Sequence, residues 1–163
     1  MGQLSFSTSQ VDNKLSPAYA GIHVHGGAIA QSIPTGATYE KLTAFTDNDP
    51  NFESIPDADN DKITLNSTGV YKVDSSFSMM SGTANATFFV SLFQGGVEVE
   101  SVHFSRKITI AGDVGSASFS GIINVTTAPV DIDVRARHNL GGAVNFTLTY
   151  ANLSAVKLMD NGV

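Results

Sequence analysis

The chain has 163 residues and no cysteine, which excludes a disulfide framework, a thiolate zinc site and a cysteine nucleophile together. Its formal net charge is −6 and its Lys and Arg are not clustered, so it lacks the basic stripe that a nucleic-acid groove requires. Charged residues make up only 15% while apolar content is an ordinary 42%, so Ser, Thr, Asn and Gly stand where charges usually would. A surface of that kind suits a molecule packed against other protein. The length fits one domain. No stretch approaches the ~18 consecutive apolar residues of a membrane span. "MGQLSFSTSQVDNK" lacks a basic segment followed by an apolar run, so no signal peptide is expected. The expected partners include neither nucleic acid nor membrane.

Residues 1–20 are rich in Ser, Asn and Gln, with Leu4, Phe6, Val11 and Leu15 scattered among them. They read as a polar arm that orders only against something else, with the folded domain over 21–163. "GIHVH" (21–25) and "ATYEKLTAF" (37–45) read as strands, and "TDNDPNFESIPDADND" (46–61) as a long acidic loop. From Lys62 onwards the strands are dense and the period is two. Tyr71, Val73, Ser75, Phe77 and Met79 share one face; so do Phe119, Gly121, Ile123 and Val125. Val130, Ile132, Val134 and Ala136 oppose Asp131, Asp133, Arg135 and Arg137, and Val144, Phe146, Leu148 and Tyr150 form another apolar set. Turn signals recur at Gly69, Gly82, Gly95-Gly96, Gly112-Asp113, Pro129 and Gly141-Gly142. With no amphipathic helix and no repeat, the reading is an all-β antiparallel sandwich.

"FFVSLFQGGVEVESVHF" (88–104) predicts a hairpin turning on Gly95-Gly96. A two-residue turn pairs Gln94 with Val97, Phe93 with Glu98 and Phe89 with Val102. The shift of apolar parity between Val99 and Val102 points to a β-bulge near Glu100-Ser101. Phe88, Val90 and Leu92 serve the core, which leaves Phe89 and Phe93 on a second apolar face. Two covers fit that face: another subunit, touching Phe89, Phe93, Val102 and Phe104, or a loop of the same chain.

In order, "SPAYAGIHVHGG", the acidic stretch, "ITLNSTGVYKVDSSFSM", "VSLFQGGVEVES" and "FTLTYANLSAVKL" resemble the tumour necrosis factor-like jelly roll over roughly 17–159. That fold is shared by complement-type globular heads and by many phage and viral head fibres, spikes and tail-associated proteins. "STGVYKVDSSFSM" is similar to the family's Gly-x-Tyr-x-Val strand, and "SLFQGGVEV" to its apolar strand and Gly turn. The aromatic run that secreted animal members carry near the end is missing, which favours the viral branch. The resemblance implies a homotrimer packed through one sheet around a threefold axis.

Candidate sites are few. His23 and His25 lie at i and i+2 on one strand face and read most simply as two partly exposed histidines. In a trimer with that strand at the axis, six imidazoles would make an octahedral site for iron or nickel. Asp57–Asp61 starts like a calcium loop, but position six is Lys62 and position twelve is Thr68, so it is no EF-hand. A solvated acidic loop, or a looser oxygen-ligand site with Asp47 or Asp49, remains. No cofactor is expected. The stripe Asp131, Asp133, Arg135, Arg137 reads as a salt-bridged surface, and His103 and His138 have no serine elbow or acid at motif spacing, so no catalytic residue is assigned. With no Trp, a sugar-stacking platform would have to come from Tyr19, Tyr39, Tyr71 or Tyr150.

The expected function is that of a non-enzymatic virion structural protein, made in the host cytoplasm. It would be a trimer decorating or projecting from a phage capsid, with the arm docking on the shell. The alternatives are a receptor- or glycan-binding module of a tail fibre or spike, and a secreted trimeric ligand.

Overall fold

The computed structural model describes residues 17–161 except 28, 29 and 35; Leu4, Phe6, Val11 and Leu15 lie outside the described residues. Its strands are β1 (Tyr19–His25), β2 (Ala30–Ile33), β3 (Glu40–Lys41), β4 (Asp47–Asn48), β5 (Ser54–Asp57) and β6 (Lys62–Leu65). There follow β7 (Gly69–Ser81), β8 (Ala86–Gln94), β9 (Val97–Ile108), β10 (Val114–Val125), β11 (Val130–His138) and β12 (Val144–Met159). The first sheet runs β10-β7-β12-β1-β4 with β2 also on β12; the second runs β5-β6-β11-β8-β9 with β3 on β11. Every pairing is antiparallel. Among the described residues the helical content is one 3₁₀ turn, Ala58–Asn60.

Alternation explains the core. Ile22 and Val24 of β1, Tyr71, Val73, Phe77 and Met79 of β7, and Phe146, Leu148 and Leu153 of β12 face inward from the first sheet. Phe88, Val90 and Leu92 of β8, Ile132 and Val134 of β11, and Ile63 and Leu65 of β6 meet them from the second. Phe88 and Phe146 close the gap with ring centroids 4.6 Å apart. Each such side chain, fully buried, contributes about 1.5–3 kcal/mol.

Three local expectations are corrected. The 46–61 stretch is not a plain loop: it holds β4, β5 and the 3₁₀ turn, because Asp47 and Asn48 pair with His23 and Ile22 while β5 pairs with β6. Of 37–45, only Glu40–Lys41 forms a strand. Tyr150 leaves the inward set because the register of β12 against β7 slips between Leu148 and Tyr150, turning the tyrosine outward.

The hairpin follows its expected register at the turn and departs beyond it. Gly95 and Gly96 have φ of 57° and 81°, the left-handed pair that a primed turn needs. Gln94 pairs with Val97 and Phe93 with Glu98, but Ser91 meets His103 and Phe89 meets Ser105 rather than Val102. Two steps along β8 thus span five along β9. The odd excess reverses which side chains of β9 face the core, and so lets both Val99 and Val102 pack against it.

The sheets adjoin where β9 stands beside β10. A Cβ added to Gly121 would lie 2.3 Å from Val102 Cγ2, so a short, stiff side chain fills the place of the missing one. Gly121→Ala is expected to lower stability by about 1–3 kcal/mol. Combining it with Val102→Ala should cost less than the sum of the single changes, as urea unfolding of the four-member cycle will show.

Candidate functional site

Three surfaces carry the polar and aromatic residues singled out in the sequence. In the acidic stretch the carboxylates serve the local fold. Asp57 Oδ1 accepts from Asn60 N at 3.2 Å and from Asn60 Nδ2 at 3.1 Å. Asp61 Oδ1 accepts from Phe45 N at 3.0 Å, from a left-handed position with φ of 50°. Burial pushes the Asp61 carboxyl above the ordinary carboxylate range, and the Phe45 N–H and Lys41 pull it back only in part. A raised folded pKa means stability that is full below the unfolded value and declines as pH rises through the folded one. Asparagine tolerates the same backbone and accepts the same bond. Asp61→Asn should therefore be the more stable form at pH 7, with an advantage that shrinks in chemical denaturation at acid pH.

The second surface is the outer face of the first sheet, where cross-strand partners fall into rows. His25, Tyr150, Ser78 and Ser116 make one row; His23, Asn152, Ser76 and Ser118 the next; Gly21, Ser154, Asp74 and Ser120 a third; Tyr19, Val156, Lys72 and Ile122 a fourth. In the middle rows Ser76, Ser118, Ser154 and Ser120 stand with Gly21, Asn152 and Asp74, and His23 is the one large side chain. Asn152 Oδ1 ties its row together, accepting from Ser76 N and Ser76 Oγ, both at 2.8 Å. His23 Nδ1 lies 2.8 Å from Asp49 Oδ1, with Asp47 Oδ2 4.0 Å from Nε2; His25 sets its ring edge against Tyr150 at 5.1 Å. Among the described residues no group of three or more His, Asp or Glu is placed to hold a metal. Lys72 and Asp74 neutralise each other at 2.9 Å. Tyr19, Val156, Ile122 and Tyr150 are 39–53% exposed, with Val114 beyond them. The face combines mostly small side chains in the middle with apolar groups towards its ends, and its unbalanced carboxylates, Asp47 and Asp49, gather at the β4 edge beside His23.

The third surface is the outer face of the second sheet, and here the residues expected at a subunit contact separate. Val102 is buried between the sheets, and Phe104 turns inward to Phe77 at 5.4 Å and Phe119 at 6.3 Å. Phe93 and Phe89 do face outward. Phe93 is only 7% exposed, because Tyr39 meets it edge-on at 5.3 Å and the Arg135 guanidinium lies 4.3 Å over its ring. Its cover comes from within the chain. Ser91 Oγ, buried beneath, donates to Glu98 Oε1 at 2.7 Å and lies 2.9 Å from the Tyr39 hydroxyl. Arg135 Nε donates to Asp133 Oδ1 at 2.7 Å, as the alternation of the stripe anticipates. Asp131 is pushed up by burial, but bonds from Lys62 at 2.9 Å and Thr64 at 2.6 Å outweigh this and hold its carboxyl below the ordinary range. Phe89 is half-buried under Arg137, whose guanidinium lies 4.2 Å over that ring and 5.1 Å from the Tyr39 ring.

The remaining histidines are structural in their contacts. His138 is fully buried: Leu140 N donates to its Nδ1 at 3.1 Å, which leaves Nε2–H to donate to Ile33 O at 3.0 Å. His103 Nδ1 lies 2.7 Å from the Glu100 carbonyl, within its own strand.

No family model matches the chain, and no curated protein matches it. Solved structures do. The globular domain of zebrafish complement 1qA protein superposes with a TM-score of 0.61 at 11% identity, covering 90% of this chain and 100% of that one. Eiger TNF from S. frugiperda gives 0.58 at 14% identity, covering 90% and 96%. The fold is the tumour necrosis factor-like jelly roll. The PRD1 vertex protein P5 is similar to the same jelly roll, at a TM-score of 0.50 and 14% identity, over 87% of this chain and 97% of that one. At these identities the likeness extends to the fold. The serine rows and the Tyr39–Arg137 stack belong to this sequence. The rows were marked by serines at i, i+2 spacing in "SSFS" and "SASFS"; no local signal marked Tyr39 as the cover of Phe93.

Proposed function

We propose that the chain is a non-enzymatic structural protein of a virion, a homotrimeric jelly roll that decorates or projects from a bacteriophage capsid. The observation that carries this reading is the outer face of the first sheet. Four strands about 4.8 Å apart, read over some ten residues, present roughly 600 Å², the same order as the ~800 Å² each partner gives to a standard interface. Small hydroxylated side chains permit close approach, and Tyr19, Ile122, Val114 and Val156 supply apolar anchors. Closed rotational symmetry lets such a face be hidden without open-ended aggregation. The likeness to a vertex protein supports a virion setting, and the low charge content supports a life spent against other protein.

Sedimentation should give three chain masses, and Ser76→Arg with Ser118→Arg should give a folded monomer with unchanged circular dichroism. A monomeric parent would refute the assembly. Ala18 is buried and β1 begins at Tyr19, so the arm can be removed cleanly only up to residue 16. Deleting 1–16 should leave soluble trimers that no longer attach to particles in a co-sedimentation assay; undiminished attachment would remove the arm from docking.

A further inference from the structure

Among the described residues, Arg137 is the cation of the second sheet that packs on aromatic rings without a carboxylate partner; Lys41, Arg106 and Lys107 also have no such partner but lie over no ring. Lys62 and Arg135 each have a carboxylate partner, whereas no carboxylate lies within ion-pair distance of Arg137 among the described residues. It is nonetheless held in place. Phe89 lies against its guanidinium at 4.2 Å and Tyr39 at 5.1 Å, and Tyr39 is itself fixed by Phe93 and Ser91. A guanidinium stacked on an aromatic ring keeps its in-plane N–H donors available to a ligand. A fork immobilised in this way has already lost the rotamer freedom that binding would otherwise remove. Its natural complement is a planar carboxylate taken in two parallel bonds.

The neighbours narrow the ligand class. Strand pairing sets Phe89 between Arg137 and Ser105, and places Thr87 and Lys107 in the next row outward. Lys107 is exposed and likewise has no carboxylate within ion-pair distance among the described residues. Strand spacings put the Arg137 and Lys107 backbones roughly 12 Å apart, within the span of one short oligomer. The hydroxyls of Ser105, Thr87 and Tyr39 donate and accept. The sheet between Arg137 and Lys107 offers no free backbone donors or acceptors to a peptide, because β8 is paired with β11 on one side and with β9 on the other. A cationic fork among hydroxyls, on a sheet face whose central strand is already paired on both sides, fits a carboxylated sugar better than an acidic peptide.

We propose that Arg137, packed against Phe89 and Tyr39, anchors a binding site for an acidic saccharide, taking the carboxylate of a uronate-type sugar while Lys107 meets a second one. The site lies on the side of the sandwich opposite the face assigned to assembly. Its failure and the failure of the trimer are therefore read by different measurements.

The test is calorimetric titration of the full chain, at low salt, with a short oligogalacturonate, its methyl ester, and oligoglutamate. The acid oligomer should bind with Kd below about 1 mM and weaken about tenfold in both Arg137→Gln and Arg137→Lys. The lysine variant keeps the charge and loses the fork. Lys107→Gln should weaken binding severalfold, and Arg106→Gln should leave it unchanged. Circular dichroism melting establishes that each variant is folded, and Lys107→Gln, at an exposed position, carries the test if Arg137 variants are not. The site is overturned by any of four results: no heat with the acid oligomer, equal binding of the ester, unchanged affinity in folded Arg137→Gln and Lys107→Gln, or equal binding of oligoglutamate.

Discussion

Two stacked sheets have four faces, and one core between them hides only two. That constraint governs the rest of this molecule. The inward faces are filled by alternation, reset at the slips in β9 and β12, from Ile22 and Val24 through Phe146 and Leu153 on one side and from Ile63 to Val134 on the other. A strand side chain that does not serve this core points away from it, so each sheet needs a separate solution for its back.

The solutions differ. Behind the second sheet, Phe93 is covered by its own chain, with a tyrosine edge on one side and an arginine face on the other. Cation–aromatic stacking of this kind suits a half-wet surface, since it hides ring area while keeping charge near water. Behind the first sheet, serines take the place of large side chains on β7 and β10, Lys72 and Asp74 cancel each other, and the remaining carboxylates stand at the β4 edge. One back is thus closed internally and carries a spare guanidinium. The other is left level through its middle strands, a shape that a second copy can meet. Assembly and ligand recognition can then occupy different sides without competing.

Much of the fold was legible because half-buried strands write their orientation into the sequence. The inward sets of β7, β10 and β11 could be read directly, and the parity change between Val99 and Val102 located the irregularity of β9. What could not be read depends on contacts distant in sequence. Asp47 and Asn48 look like loop residues until β1 lies beside them. Tyr150 belongs by period to the core and is turned out by a slip one residue earlier. Phe89 and Phe93 were identifiable as a second apolar face, but the identity of their cover was not. Tyr39 lies some fifty residues away along the chain, and nothing near it marks its destination.

The position of β12 has a consequence for how the molecule is made. This strand lies in the middle of the first sheet, between β7 on one side and β1 and β2 on the other. During synthesis β1 therefore waits for a neighbour encoded more than a hundred residues later, as the pairing of Tyr19 with Val156 requires. Loops of that length must close before their contacts give anything back, which places the chain among slow folders. Nascent chains would carry an incomplete sheet until β12 has emerged, so termination upstream of Val144 would leave β1 and β7 as open edges.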